Sequence, residues 1–261
     1  MQLAFDKYQA CGNDFIIVDG SNLLQGIESQ QIQACCNRYF GIGADGFIVL
    51  TQLEDEVLKM DYFNADGHPG SFCGNGARAA FRYAQSQHWV KNSAVLHAAD
   101  GSHKAQYTTE TDCIAISMQP VQRILKTDLG YELNTGSPHL IVFVENIHHY
   151  EVFDKGRQIR NSPKYLNEGI NVNFVSHTNG DIFVRTYERG VEAETLSCGT
   201  GVTASALAVM HKNSATLQTH RIQVNTRGGT LYVSAQKTNE GYDAIELSGP
   251  AKWVFSGFIN L

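Results

Sequence analysis

The sequence predicts an α/β (α+β) protein of two pseudo-symmetric domains, each a curved mixed sheet wrapped around a central helix. Three observations lead there. The chain echoes itself at long range: Asn64 is answered by Glu188 at an offset of 124 and Cys73 by Cys198 at 125, and Gly12-Asn13-Asp14-Phe15-Ile16-Ile17-Val18 by Gly136-Ser137-Pro138-His139-Leu140-Ile141-Val142 at 124. A period that long means two similar domains, not a solenoid. Short strand-like runs dominate both halves. Each half also holds one helix, entered through Cys-Gly-x-Gly, that is small or apolar on nearly every side, the pattern of a buried helix.

Taken in order, the runs Leu3–Tyr8, Phe15–Val18, Phe47–Leu50, Val57–Phe63, Ala94–His97 and Cys113–Met118 read as strands. So do Leu140–Val144, Val172–Val175, Ile182–Tyr187, Arg221–Asn225, Thr230–Ser234, Ala244–Leu247 and Trp253–Ile259. They are short and either alternate or are rich in β-branched and aromatic residues. Helical patterns cover about Ser29 to Arg38, Gly74 to Gln87, Tyr150 to Ile159 and Gly199 to His211. Pro120 and Pro250 mark boundaries, since proline interrupts regular structure. The expected domains are 1–118 with about 251–261, and 119–250, the last strand returning to the first domain.

The 261 residues suffice for two domains of ordinary size. A net charge of −6 disfavours a nucleic-acid or membrane-surface binder, which shows a basic patch. No apolar run is long enough to span a bilayer. The N-terminus, Met1-Gln2-Leu3-Ala4-Phe5-Asp6-Lys7, alternates like a strand and lacks the apolar core of a signal peptide. A cytoplasmic location is expected, with the six cysteines reduced. No CxxC pair or Cys/His cluster has zinc spacing, and His148-His149 is read as part of a polar loop, so no metal is expected. No GxGxxG after a strand and no P-loop occurs, so no cofactor is expected.

The chemistry concentrates at Cys73 and Cys198. Cys35, Cys36 and Cys113 lie within helical or strand patterns and read as packing residues. Cys11 borders the Gly12-Asn13-Asp14 turn and also reads first as packing. Cys73 and Cys198 each follow a polar turn, precede glycines and repeat at the internal offset. A thiol at a helix entry meets unpaired N–H groups and the positive end of the helix dipole. That element cradles a carboxylate and favours the thiolate. Two facing domains would place the two thiols across one interdomain cleft. One sulfur would take a proton from a carbon and the other return one to the opposite face, with the carbanion's charge spread onto a cradled carboxylate.

These segments resemble the diaminopimelate epimerases, the pyridoxal-independent epimerases of bacterial lysine and peptidoglycan precursor synthesis. The resemblance runs in order through Gly12-Asn13-Asp14-Phe15, Phe63-Asn64-Ala65-Asp66-Gly67, Cys73-Gly74-Asn75-Gly76-Ala77-Arg78 and Gly136-Ser137-Pro138-His139. It continues through Asn171-Val172-Asn173-Phe174, Tyr187-Glu188-Arg189-Gly190 and Glu194-Thr195-Leu196-Ser197-Cys198-Gly199-Thr200-Gly201. It implies a homodimer, an active site between the domains, Cys73 and Cys198 as acid–base residues, and no cofactor. It places Gly74, Asn75, Gly199 and Thr200 around the reacting carboxylate. It assigns Asn13, Asn64, Asn171, Glu188 and Arg189 to substrate contacts, and His139 and Glu188 to tuning of the thiols. A substrate with a second amino and carboxylate group needs such partners, and arginine grips a carboxylate in a fork.

Three departures border the cleft: Ser137 where asparagine is usual, Cys11 where a small residue is common, and a segment one residue longer between Arg189 and Cys198. They leave substrate breadth open, so a related racemase for another amino acid stands as the alternative. A thiol–disulfide oxidoreductase is disfavoured by the absent CxxC, and a non-catalytic binding module by retention of both thiols.

Overall fold

The computed structural model describes residues 2–23, 26–109, 111–178, 181–213 and 219–260. Met1 and Leu261, the outermost residues of the expected domains, lie outside the described residues. The chain divides into two units, Met1–Ile116 with Gly249–Leu261, and Ser117–Ser248. The first contains β1 (Gln2–Ala10), β2 (Asn13–Asp19), α1 (Ser29–Cys36), β3 (Gly46–Glu54), β4 (Val57–Asn64), α2 (Gly74–Ser86), β5 (Ser93–Ala98), β6 (Gly101–Thr108) and β7 (Cys113–Ser117). The second contains β8 (Ile124–Lys126), β9 (Tyr131–Asn134), β10 (Pro138–Phe143), α3 (Val152–Arg160), β11 (Asn171–Thr178), β12 (Asp181–Glu188), β13 (Ala193–Thr195), α4 (Gly199–Lys212), β14 (Thr219–Thr226), β15 (Gly229–Lys237) and β16 (Tyr242–Gly249). The last strand, β17 (Lys252–Asn260), belongs to the first unit and pairs antiparallel with β1.

The repeat is topological as well as sequential. In the first unit the strand order is β17-β1-β2-β3-β4-β5-β6-β7, parallel only at β2/β3 and β4/β5. In the second it is β8-β9-β10-β11-β12-β14-β15-β16, parallel only at the corresponding junctions β10/β11 and β12/β14. Parallel neighbours need a crossover, and each of the four helices lies in one. Register fixes the equivalent residues. Phe15 faces Gly46 and Ile48 faces Tyr62 in the first unit. His139 faces Asn171 and Asn173 faces Thr186 in the second.

Each sheet is covered on both faces. This is why β2 is a continuous buried run from Phe15 to Val18. Alternate residues serve different layers: Ile16, Val18, Phe47 and Val49 join Ile32 and Cys35 of α1 in one core, while Phe15 and Ile48 reach Gly76 of α2 on the other face. The second unit repeats the division, with Leu140, Val172, Phe174 and Tyr187 joining Val152 of α3. Residues of opposite parity, His139, Asn173 and Thr186, therefore point toward α4. Full burial of side chains such as Phe15 or Phe174 stabilises each unit by about 1.5–3 kcal/mol apiece. Helix α4 is buried from Gly199 to Met210, as its small and apolar composition requires.

Several local expectations need correction. β6, β8, β9 and β13 are strands that hydrophobic pattern does not reveal. In β6 only His103 and Ala105 are buried, so too few apolar residues mark its inner face; β8, β9 and β13 are only three or four residues long. Helix α1 ends at Cys36 rather than near Arg38, where Asn37 leaves helical geometry and its Oδ1 accepts from the N–H groups of Tyr39 and Phe40. Helix α3 begins at Val152, not Tyr150. His148 and His149 close a short 3-10 turn from Ile147, not an open loop. The segment after Arg189 contains β13, paired to β12 and held by a bidentate ion pair from Arg185 to Glu194 at 2.6 and 2.7 Å.

Candidate active site

Both candidate thiols occupy the same local position. Cys73 is the N-cap of α2, with φ −116° and ψ 105°. Cys198 is the N-cap of α4, with φ −113° and ψ 111°. An N-cap side chain faces the first-turn N–H groups, which lack helical partners. Gly76 N donates to Cys73 Sγ at 3.4 Å. Gly74 and Asn75 in one unit, and Gly199 and Thr200 in the other, form the buried first turn at the positive end of the helix dipole beside the thiol.

In the first unit Asn13 joins Cys73. Asn13 Nδ2 donates to Asp45 Oδ2 at 2.7 Å, which turns its carbonyl oxygen toward the thiol. Asn13 Oδ1 then accepts from Asn75 Nδ2 at 3.3 Å and from Cys73 Sγ at 3.9 Å. Asn75 is held in turn by Arg78, whose Nη2 donates to Asn75 Oδ1 at 2.8 Å and whose Nη1 donates to Gly74 O at 3.1 Å. Arg78 is fully buried, and burial lowers its pKa from the ordinary value. Its Nη2 also lies 3.9 Å from Cys11 Sγ. Cys11, at φ +54°, and Gly12, at φ +84°, form the two-residue turn joining β1 and β2. Burial pushes the Cys11 thiol up, so it stays protonated against Arg78. Asp14 ties this hairpin to Arg38 and Lys7. Asn64 ends β4 opposite Gly46, the residue after Asp45, and is exposed, in a turn closed by Gly67 N donating to Asn64 O at 2.9 Å.

In the second unit the partners differ. Cys198 Sγ lies 3.5 Å from Thr200 Oγ1, and Thr200 Oγ1 lies 2.9 Å from His139 Nε2. Asn173 Nδ2 sits 3.0 Å from His139 Nδ1, and Thr186 Oγ1 donates to Asn173 Oδ1 at 2.9 Å. His139 is wholly buried; burial, with a smaller contribution from the charge of Arg189, pulls its pKa down to about 3. It is therefore neutral at physiological pH. Thr135 Oγ1 donates to Thr200 O at 2.8 Å and fixes the first turn of α4.

Asn171 and Arg189 are joined. Asn171 Nδ2 donates to Pro138 O at 3.1 Å, and its Oδ1 accepts from Arg189 N at 2.9 Å. The guanidinium is aimed by Nη1 donating to Glu168 O at 2.8 Å, and its Nη2 lies 3.5 Å from Ser137 Oγ. Ser137 is thus within reach of the cation despite its short side chain. Glu188 Oε2 accepts from Thr195 Oγ1 at 2.9 Å, which ties the end of β12 to the segment leading to Cys198.

Asp45, Arg78, Thr135, Asn173 and Thr186 escape a reading of motifs alone. Arg78 and Asn173 sit inside the quoted segments, yet their roles depend on what the opposite strand or helix turn presents. Cys35, Cys36 and Cys113 are buried, free thiols away from the two helix entries. Among the described residues no group of three or more His, Cys, Asp and Glu side chains could hold a metal ion. No helix of the described residues is long and apolar enough to cross a membrane.

Known proteins resemble the chain in sequence and, more distantly, in fold. The model of the diaminopimelate epimerase family matches residues 5–124 and 131–254. The chain is 43% identical to the diaminopimelate epimerase of Flavobacterium psychrophilum over 253 residues, covering 95% of this chain and 97% of that one. It is 37% identical to the enzyme of the same name from Chlorobaculum tepidum, covering 96% and 98% of the two chains. Among solved structures, a PhzF-family phenazine biosynthesis protein from Bacillus anthracis shares the fold with a TM-score of 0.79 at 14% identity, covering 100% of both chains. A hydroxyproline epimerase from Agrobacterium vitis, solved with trans-4-hydroxy-L-proline, does so with a TM-score of 0.70 at 13% identity, covering 99% of this chain and 92% of that one.

Proposed function

The chain belongs to the diaminopimelate epimerase family and is an isomerase acting on diaminopimelate, and on that premise we propose that Cys73 and Cys198 are its two acid–base groups. One thiolate removes the α-proton; the other thiol delivers a proton to the opposite face of the same carbon, which interconverts the L,L and meso isomers. The developing negative charge passes to the adjacent carboxylate. N–H groups at Gly74, Asn75, Gly199 and Thr200 are positioned on their helices to stabilise it. The observation that carries this reading is the pair of matched N-cap cysteines, each on a buried helix. A thiol in that position is the group whose pKa a helix terminus lowers.

Asn13, Asn64, Asn171, Glu188 and Arg189 make the remaining substrate contacts in this proposal, with Arg189 gripping the distal carboxylate. His139 and Glu188 tune the thiols. The reaction supplies the meso isomer to lysine and peptidoglycan precursor synthesis. The enzyme acts in the cytoplasm as a homodimer, a state favoured by the exposed apolar side chains Trp253, Val254, Phe255 and Phe258 on β17.

The test is turnover of L,L-diaminopimelate in heavy water. Solvent deuterium should appear at the inverted carbon, and Cys73→Ala or Cys198→Ala should each slow inversion by about 10²–10⁴-fold. Full inversion by either alanine variant would overturn the two-thiol mechanism.

A further inference from the structure

The two thiols, alike in backbone geometry, are backed by different chemistry. On the sheet face toward α2, the first unit has Phe15, Ile48 and Tyr62. The equivalent positions toward α4 are His139, Asn173 and Thr186. Equivalent to Asn75 is Thr200, and equivalent to Arg78 is Thr203, whose Oγ1 donates to Gly199 O at 3.0 Å just as Arg78 Nη1 donates to Gly74 O at 3.1 Å. A largely aromatic and aliphatic sheet face and a buried cation in one unit are thus replaced in the other by a buried polar chain ending at a sulfur.

The direction of that chain is determined by its members. Asn173 Oδ1 accepts from Thr186 Oγ1 at 2.9 Å, and Asn173 Nδ2 donates to Leu140 O at 3.2 Å. The amide nitrogen, a donor only, is therefore the atom facing His139 Nδ1 at 3.0 Å. In a neutral imidazole one nitrogen accepts and the other carries the proton. Nδ1 accepts, so Nε2 holds the proton and donates it to Thr200 Oγ1. The Thr200 hydroxyl, having accepted there, directs its own proton to Cys198 Sγ at 3.5 Å.

We propose that Asn173 is a positioning residue: by locking His139 as the Nε2–H tautomer, it makes Thr200 a hydrogen-bond donor to the Cys198 thiolate. In the first unit the corresponding sequence of donors runs from Arg78 through Asn75 and Asn13 to the Asp45 carboxylate, and the side chain that meets Cys73 Sγ, which also accepts from Gly76 N, is an acceptor, Asn13 Oδ1. The two sulfurs are thereby set up as different acids. The charged and titratable groups bordering the relay are His139 itself on β10, and Glu188 and Arg189 at the end of β12. Arg189 reinforces the neutrality of His139, and Glu188 is engaged by Thr195. The inference deepens the two-thiol reading, since it concerns one of the proposed acid–base groups.

Two measurements test it. In the unaltered protein, nitrogen NMR of His139 should show the proton on Nε2; a proton on Nδ1 would overturn the relay without any variant. The thiolate of Cys198 is then titrated in a Cys73→Ala background by alkylation with iodoacetamide, read at the Cys198 peptide. Asn173→Leu removes the donor without adding charge, and Asn173→Asp replaces it by an acceptor of the same shape. Both should raise the apparent pKa of Cys198 by about one unit, seen as roughly tenfold slower alkylation at neutral pH. If only Asn173→Asp shifts it, the effect is Coulombic and the relay is refuted; if neither does, it is refuted outright. The titration follows the sulfur and not turnover. Full inversion by Cys198→Ala would therefore defeat the catalytic reading while leaving the relay to be judged by its own result.

Discussion

Adding one methyl group to each of two equivalent glycines should have unequal outcomes. Gly76 and Gly201 occupy the same place in the first turns of α2 and α4. Neither has a left-handed backbone, so alanine is conformationally allowed at both and helix propensity favours it by up to about 1 kcal/mol. A Cβ at Gly76 would lie 3.3 Å from Ile48 Cδ1, the free end of a flexible side chain. A Cβ at Gly201 would lie 2.3 Å from Asn173 Oδ1. That oxygen would have to retreat by roughly 1 Å to reach ordinary contact. Its amide cannot move without disturbing the bonds from Thr186 and to His139 at 2.9 and 3.0 Å. Overpacking costs about 1–3 kcal/mol, and a buried polar group left unpaired costs about 1–3 kcal/mol more. After the propensity gain, Gly201→Ala should lose about 1–5 kcal/mol, and Gly76→Ala should stay within about 1 kcal/mol of the parent. Thermal unfolding followed by circular dichroism should register the first as a fall in Tm of roughly 2–20 °C. Equal losses in the two variants, or a Gly201→Ala protein as stable as the parent, would refute the rigidity assigned to Asn173.

Two further outcomes follow from the second unit. His139 titrates near 3 when folded and near its ordinary 6.5 when unfolded, so the unfolded chain binds the extra proton as pH falls. Its contribution to stability is complete above pH 6.5 and drains away toward pH 3, at about 1.4 kcal/mol per pH unit at most. Asp14 lies outside most of that window. Burial alone would raise its pKa, but hydrogen bonds from Arg38 and Lys7 more than reverse this, so its contribution is lost only as pH falls below the unfolded value of 3.8. Urea unfolding of His139→Asn should therefore show a flatter stability profile between pH 6.5 and 4.5; an unchanged slope contradicts the neutral, buried imidazole. Arg189→Ala should lower kcat/KM for diaminopimelate by about 10–100-fold, the equivalent of one lost charge-assisted pair. Unchanged steady-state kinetics would remove Arg189 from carboxylate recognition.

What a sequence discloses here depends on how local the physics is. The Cys-Gly-x-Gly entries announce the helix N-termini because glycine, an unpaired N–H row and a thiol act within one turn. The long repeat announces two similar units because apolar runs recur in the same order. β6 stays hidden because only His103 and Ala105 mark its inner face. β13 stays hidden because it is three residues held by Arg185, whose partner Glu194 lies nine positions away. Asn173 is hidden for a deeper reason. Within Asn171-Val172-Asn173-Phe174 the parity of the strand points both asparagines toward the same helix, and motif reading credits only the first with a role. Its significance emerges when β11 is laid beside β10 and β12: His139 and Thr186 then flank it, while the equivalent Ile48 has only apolar or aromatic neighbours in Phe15 and Tyr62. Duplication explains the shared backbone at the two cysteines. The copies differ all the same, and the difference resides in side chains one layer behind the thiols, at Phe15/His139, Ile48/Asn173 and Arg78/Thr203. Sequence symmetry therefore locates the pair, and departures from that symmetry at those three places distinguish its members.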